Sequence, residues 1–386
     1  MSAPGRALAL LASFAVTVGC ASEKPPLLDD APWDREAESG PSFTPGNEAN
    51  RYPPECGKKP DGEPCECLEV PLFVDPPTIY FVLDRSGSMR VDQKWSHVRN
   101  TVATIMRKLG PRANFGAAVF PHPNSKLECA TGIEVMSVRP GDPPSSFAYG
   151  PTTTTLLNAT LGEPSGSTPT AASLEETRKQ LAGVPGRKYV ILATDGAPNC
   201  NPRIACALEN CQINLERAYG CVPEGPLNCC EPPFGDPNAC TDAADTVTAI
   251  KNLVEAGISV FVVGLPGALP YAALLDQMAV AGGTALSQSP RYFAVGAASE
   301  QVMLSALGAV AAKITATCSF QLAAEPAAAD LVNVYLDERV LPYDPANSWN
   351  LSGKTVTLLG EACSRVMAGE VLDVRIIAGC PRVVVR

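Results

Sequence analysis

Histidine is nearly missing from this chain: 386 residues hold only His97 and His122. Imidazole-based zinc sites and Ser-His or Cys-His pairs therefore have almost no material to work with, and neither histidine lies near a nucleophile signal. No C-x-x-C pair occurs either, which removes the usual cysteine spacing of zinc ribbons. Basic residues are outnumbered, 30 Lys and Arg against 40 Asp and Glu, and the formal net charge of −10 excludes a nucleic-acid partner, which needs a dense cationic surface. No G-x-x-x-x-G-K-[ST] loop and no G-x-S-x-G elbow is present; "GEPSGST" lacks the spacing and the lysine to cradle phosphates. With no general base in view, no enzymatic activity is expected. Long apolar runs are also lacking, since the stretch from Ala7 to Val18 is too short to span a bilayer comfortably.

That short run does have a reading. It follows a single positive residue, Arg6, and ends in Gly19-Cys20, which suits the core of an export signal over residues 1–19. It resembles a bacterial lipoprotein signal, in which Cys20 becomes the lipidated first residue; an ordinary secretory signal followed by a chance cysteine is the plainer alternative. Both place the chain outside the cytoplasm, and the resemblance implies anchoring in the cell envelope by lipid alone, at the outer membrane or cell surface. The 15 cysteines agree: with Cys20 set aside, 14 remain, an even number for disulfides in an oxidising compartment. Residues 20–76 are rich in Pro, Glu, Asp and Gly and read as a tether ending in a small group, Cys56, Cys65 and Cys67. A flexible tether of that length holds the next domain on the order of 35 Å from its anchor.

From residue 77 to 316 strand and helix signals alternate. "TIYFVLD" and "KYVILATD" are continuous apolar runs that end in aspartates, Asp84 and Asp195, and such runs suit strands covered on both faces. Between and after them lie an amphipathic "KWSHVRNTVATIMRKLGP", strands at "NFGAAVF", "GIEVMSV" and "ISVFVVG", and helical patterns at "TPTAASLEETRKQLA", "DAADTVTAIKNLVEAG", "YAALLDQMAVAGG" and "SEQVMLSALGAVAAKI". The alternation predicts an α/β fold: a doubly wound, mostly parallel sheet. Sites in such sheets form beyond the carboxyl ends of the strands, where the order reverses. Both aspartates belong on that rim, and so does "SGSTPT", which places Thr168 as a helix N-cap and Pro169 as the first helical residue.

Asp84, Ser86 and Ser88 form D-x-S-x-S; Thr168 follows about eighty residues later, and Asp195 closes "ATDGAPN". Each is explicable alone, as a cap or an Asp-Gly turn, but together they leave two acidic strand ends side by side, whose repulsion asks for a cation or a shared proton. The set resembles the metal-ion-dependent adhesion site of von Willebrand factor A-type domains, over roughly residues 78–316. The resemblance implies a hard divalent ion, Mg²⁺ before Mn²⁺ or Ca²⁺, held by Asp84, Ser86, Ser88, Thr168 and Asp195, with hydroxyls that add no charge and two carboxylates that balance the ion. It further implies an open position that takes an Asp or Glu carboxylate from a protein partner. Asp84 and Ser86 are expected at the solvent end of their strand.

Two departures from a plain domain of that type remain. Residues 200–240 carry Cys200, Cys206, Cys211, Cys221, Cys229, Cys230 and Cys240, a stapled insertion rising from the same rim and a candidate for partner specificity. In the topology that the resemblance implies, the connection after "NFGAAVF" emerges on the metal rim, which brings Cys129 to this group as its eighth member and implies one disulfide from Cys129 into the insertion. Residues 317–386 read as a small β-rich module with Cys318, Cys363 and Cys380 and a turn at Asp337-Glu338. The resemblance also implies that the two ends of the domain lie together opposite the metal rim; since neither the N-terminal nor the C-terminal trio of cysteines closes on itself, one bond between the two is expected. The functional expectation is a metal-dependent adhesion or ligand-binding lipoprotein; the alternative is a structural subunit of an envelope assembly in which the metal site is secondary.

Overall fold

The computed structural model describes residues 68–69, 76–142, 149–201, 203–204, 206–233, 235–322, 325–337 and 339–383. Cys20, the export signal and the cysteines at 56, 65 and 67 lie outside the described residues. In chain order the elements are β1 (Leu68–Glu69), β2 (Thr78–Asp84), α1 (Lys94–Leu109), β3 (Asn114–Phe120), β4 (Ile133–Pro140), α2 (Pro151–Ala159), α3 (Thr170–Leu181) and β5 (Lys188–Thr194). There follow α4 (Gln212–Leu215), α5 (Ala243–Glu255), β6 (Ile258–Gly264), α6 (Ala272–Ala281), β7 (Phe293–Ala294) and α7 (Glu300–Ile314). The C-terminal part adds β8 (Ser319–Gln321), β9 (Val332–Leu336), β10 (Arg339–Leu341), β11 (Trp349–Ser352), β12 (Thr355–Leu358), α8 (Gly360–Met367) and β13 (Val374–Ala378).

The apolar runs become the middle of a six-stranded sheet with order β4-β3-β2-β5-β6-β7, parallel except for β4. Strand β2 shows why its run is unbroken. Ile79, Phe81 and Leu83 pack with Val98, Val102 and Ile105 of α1 and with Leu307 and Val310 of α7. Tyr80 and Val82 face the opposite layer, where Leu174 of α3, Ile250 of α5 and Leu275 of α6 cover them. The chain builds outward from β2 through β3 to β4, then returns to place β5, β6 and β7 on the other side of β2. The order therefore reverses between β2 and β5, the two strands that end in aspartates.

Two local features were hidden from sequence patterning. Helix α2, "PTTTTLLNA", holds four consecutive threonines, a β-branched run with low helix propensity. It forms because Asp142 caps it from a distance: its carboxylate accepts Thr152 N (2.7 Å), Thr153 N (2.8 Å) and Thr153 Oγ1 (2.6 Å). The C-terminal module, expected to be β-rich, has two antiparallel sheets, β1-β13-β9-β10 and β11-β12-β8, but also the helix α8, whose brief inner face is Ala362 and Val366.

The tether expected over residues 20–76 does not stay outside this module: β1 pairs with β13, Leu68 opposite Ala378, so Leu68 and Glu69 form an edge strand of it. Phe320, Val334, Trp349, Val356 and Ile376 form the module's core. Leu336 pairs with Arg339 across β9 and β10, and Asp337 of the expected turn has left-handed backbone (φ 46°); Glu338 lies outside the described residues. The module packs on the sheet domain at the end away from the aspartates: Leu372 joins the α1–α7 core, and buried Arg112 donates to Leu372 O (2.8 Å) and Thr315 Oγ1 (3.4 Å). Among the described residues no helix is long and apolar enough to cross a membrane.

Among the described residues there are five disulfides: Cys129–Cys200, Cys206–Cys240, Cys211–Cys230, Cys221–Cys229 and Cys318–Cys363. The first ties the connection after β3 to the insertion. Cys380 is buried against Tyr335, Val340 and Ile377. The expected bond between the N-terminal and C-terminal trios involves residues outside the described ones.

Candidate metal centre

Because β2, β3, β5 and β6 are parallel, the loops that follow them emerge on one rim, and the sequence-expected residues collect there. Asp84 is the last residue of β2, and Thr194 of adjacent β5 donates Oγ1–H to Asp84 Oδ2 at 2.6 Å. Asp84 Oδ1 accepts the backbone N–H of Ser86 at 2.8 Å. The Ser86 and Ser88 hydroxyls lie 3.0 Å apart, and Ser88 Oγ donates to Asp195 Oδ1 at 2.8 Å. Four of the five expected residues thus form one continuous network.

Thr168 is held beside it by backbone. Gly87 N donates to Gly166 O (2.9 Å) and Ser165 N to Arg85 O (2.9 Å), strapping the loop before α3 to the serine loop. Gly166 has a φ of +85°, and a Cβ there would meet Pro121 Cγ at 2.8 Å and Glu128 O at 2.9 Å, so only glycine suits the close approach. Helix α3 begins at Thr170, two residues after Thr168, with Pro169 as its cap; the expected N-cap was one residue early. Thr168 is fixed instead by Asn199, which accepts Thr168 N on Oδ1 (2.7 Å) and donates its own N–H to Thr168 O (2.9 Å). The Thr168 side chain makes no hydrogen bond with the described residues.

Asn199 was not legible as a site residue, because its role depends on the insertion. Its amide donates to Gln212 Oε1 (2.9 Å) on α4, and Gln212 donates to Ala197 O (2.8 Å). The α4 segment is seated by Leu215 against the helix-covered core and by Glu216, which accepts the Tyr271 hydroxyl at 2.6 Å. The cysteine-rich insertion therefore buttresses the threonine of the site.

Burial corrects another expectation. Asp84 is not at a solvent-exposed strand end: it is 0% exposed, with Ser86 and Asp195 at 3% each, roofed by the strapped loops. Only Ser88 opens to solvent. Burial, reinforced by the neighbouring Asp195 charge, pushes the Asp84 carboxyl up to about 7, against the opposing pull of its bonds from Thr194 and Ser86. The buried pair does need charge relief, as its spacing in sequence implied.

Part of that relief comes from a residue the sequence reading missed. Lys94, also buried, donates Nζ–H to Asp195 Oδ2 in a close ion pair and to Pro266 O at 2.9 Å. It is the first residue of α1, where a cation opposes the helix dipole, and that misplacement is the local signal that would have marked it. It also changes the charge count. Two ionised carboxylates and one ammonium leave a single negative charge, so a divalent ion brings the site to a single positive charge, not to neutrality.

The donor set fits a hard divalent ion: carboxylate and hydroxyl oxygens, no imidazole, no thiolate. The sulfurs of Cys206, Cys230 and Cys240 do gather within 4.8 Å of one another. All three are committed to disulfides, so they offer no thiolate.

The sheet order and the rim residues define a von Willebrand factor A-like fold. No family model and no curated protein matches the chain. Among solved structures it is similar to the pilus adhesin SpaC from Lactobacillus rhamnosus GG, at 16% identity and a TM-score of 0.47, covering 80% of this chain and 39% of that one. It is similar also to the vWF domain of the type V pili tip protein Mfa5 from Porphyromonas gingivalis (12% identity, TM-score 0.42, 63% of this chain and 96% of that one). A third likeness is to proximal thread matrix protein 1 from the mussel byssus with a zinc-occupied MIDAS motif (15% identity, TM-score 0.30, 52% and 38%). The chain thus spans well under half the length of the first and third of these.

Proposed function

We propose that this chain is a binding protein of the cell envelope that engages a protein partner through a divalent ion, Mg²⁺ foremost, held by Asp84, Ser86, Ser88, Thr168 and Asp195. The observation that carries the reading is the buried Asp84/Asp195 pair at the sheet's switch point, joined by serine hydroxyls of which one faces solvent. The bound ion would supply an electrophilic centre for an external carboxylate; the chain's own residues orient its ligands and keep water from the inner carboxylate. Anchoring through lipid on Cys20 is part of the proposal and rests on the export signal.

The rim also has the character of a contact surface. Exposed Val91, Leu127, Leu161 and Leu269 stand on four of its loops, and Tyr219 of the insertion is 97% exposed. Arg217 and Tyr219 both have left-handed backbone (φ 54° and 55°), and Cys221 pins the segment to Cys229. An aromatic side chain held out on a stapled, strained loop suits partner recognition. A non-enzymatic role is proposed on the same footing: His122 Nδ1 accepts Asn124 N at 3.1 Å, and His97 faces Glu300 at 3.7 Å between α1 and α7.

The test is thermal unfolding of the full chain with chelator, Mg²⁺ or Mn²⁺, together with capture of partners from envelope extracts with and without EDTA. A native-state ligand at a hundredfold excess over its dissociation constant stabilises by roughly 2.7 kcal/mol. No upward shift in millimolar metal, with acetate absent or present, would sink the metal reading; capture indifferent to EDTA would favour the structural-subunit alternative.

A further inference from the structure

Lys94 is a fixed feature of the rim. It is 5% exposed, its ammonium is bonded to both Asp195 Oδ2 and Pro266 O, and its backbone opens α1. The loop after β6 closes over it: Gly267 has a φ of +115°, and a Cβ at that position would lie 3.0 Å from Asp195 O and 3.4 Å from Lys94 Nζ. The charge has no open path away from the site. A divalent ion between Asp84 and Asp195 must share Asp195 with this ammonium, and the two cations repel in surroundings where charges are poorly screened.

We propose that Lys94 sets the ligand requirement of the site: its fixed charge weakens binding of the divalent ion alone and strengthens binding of ion plus external carboxylate, so that the two bind cooperatively. The inference rests on the metal reading and deepens it. Two carboxylates without Lys94 would balance a divalent ion and leave little demand for an anion. With Lys94 the loaded site keeps a single positive charge, and an incoming carboxylate cancels it. The metal then serves as half of a composite site completed by the partner, and occupancy by the ion alone stays low. Lys94 is on this account a positioning and charge-setting residue, distinct from the ion's ligands.

The experiment is calorimetric titration of the full chain with Mn²⁺, alone and in the presence of acetate as the carboxylate probe. It compares wild type with Lys94→Met, Lys94→Gln and the charge-preserving Lys94→Arg, each checked for native circular dichroism. Lys94→Met should bind Mn²⁺ about tenfold tighter or more, through loss of the repulsion, and acetate should strengthen Mn²⁺ binding less than it does in wild type. Lys94→Gln, whose amide keeps a donor toward Asp195 and Pro266 O without the charge, should behave in the same way and carries the test if the methionine variant does not fold. Lys94→Arg should resemble wild type. A lysine that merely held Asp195 in place gives the opposite sign, with weaker Mn²⁺ binding in Lys94→Met and Lys94→Gln; that result, or equal binding in all four chains, overturns the inference while leaving the metal reading intact. Absence of Mn²⁺ binding in all four overturns the metal reading and this inference with it.

Discussion

Asp84→Asn isolates the cost of the buried carboxylate. The amide fits with little rearrangement: Oδ1 continues to accept Ser86 N, Nδ2 takes the place of Oδ2 as a donor to Thr194 Oγ1, and the freed Thr194 hydroxyl has Gly196 O within 3.2 Å. In wild type the Asp84 carboxyl is raised from 3.8 to about 7 in the fold. A raised acid favours folding fully only below its unfolded value, and that contribution is lost as pH climbs through the folded value. About three units at about 1.4 kcal/mol each gives roughly 4 kcal/mol across the whole range. Of this, roughly 2 to 3 kcal/mol falls between about pH 5 and about pH 8, because part of the loss is already complete at the lower end. Urea unfolding of both chains in chelator should therefore show the asparagine variant gaining on wild type by about that amount over this interval, with other titrations cancelling in the difference. Saturating Mg²⁺ near pH 8 should restore wild type and leave Asp84→Asn unmoved, since the ion replaces the proton as the counter-charge. A stability gap that does not change with pH would refute the claim that burial beside Asp195 strains this carboxylate.

Other residues make separate tests. Asn199→Ala removes both the acceptor for Thr168 N and the link to Gln212; it should cost about 1 to 3 kcal/mol and weaken Mn²⁺ binding, measured by denaturation and calorimetry, and unchanged metal affinity would detach the insertion from the site. Replacing Cys129 and Cys200 together by serine opens a loop with a sequence separation of 71 and should lower stability by roughly 4 kcal/mol in the chain-entropy model; a loss well under 1 kcal/mol would show that the link does not constrain the unfolded chain. Tyr219→Ala, at a fully exposed position, should leave the melting temperature in place and reduce partner capture; unchanged capture would remove the insertion tip from the contact surface.

The five rim residues were legible because each sits at a boundary that sequence marks. An apolar run long enough to cross a sheet has one carboxyl end, and parallel strands put all such ends on one side. Asp84 and Asp195 are therefore neighbours as soon as their runs are read as strands. The topology implied by the resemblance put the connection after β3 on the same rim, so Cys129 was expected to pair into the insertion, and it is bonded to Cys200. Helix α2 was not legible, since its four threonines speak against a helix and its cap, Asp142, stands ten residues before the first amide it accepts. The short helix α8 hid among strand signals for want of a long apolar face.

What the sequence determined by itself was the alternation of strands and helices, and with it the chemistry of the rim: oxygen donors, two acids, no imidazole. Whether those acids meet solvent, and what stands beside them, was decided by tertiary structure. The loop that roofs Asp84 belongs to a segment some eighty residues later, the lysine that pairs with Asp195 precedes it by 101 positions, and the asparagine that holds Thr168 is itself held by the insertion. Periodicity reports which face of an element is buried, because that depends on neighbours one turn or two residues away. The charge balance of a site depends on which distant loops close over it, and no local pattern carries that information.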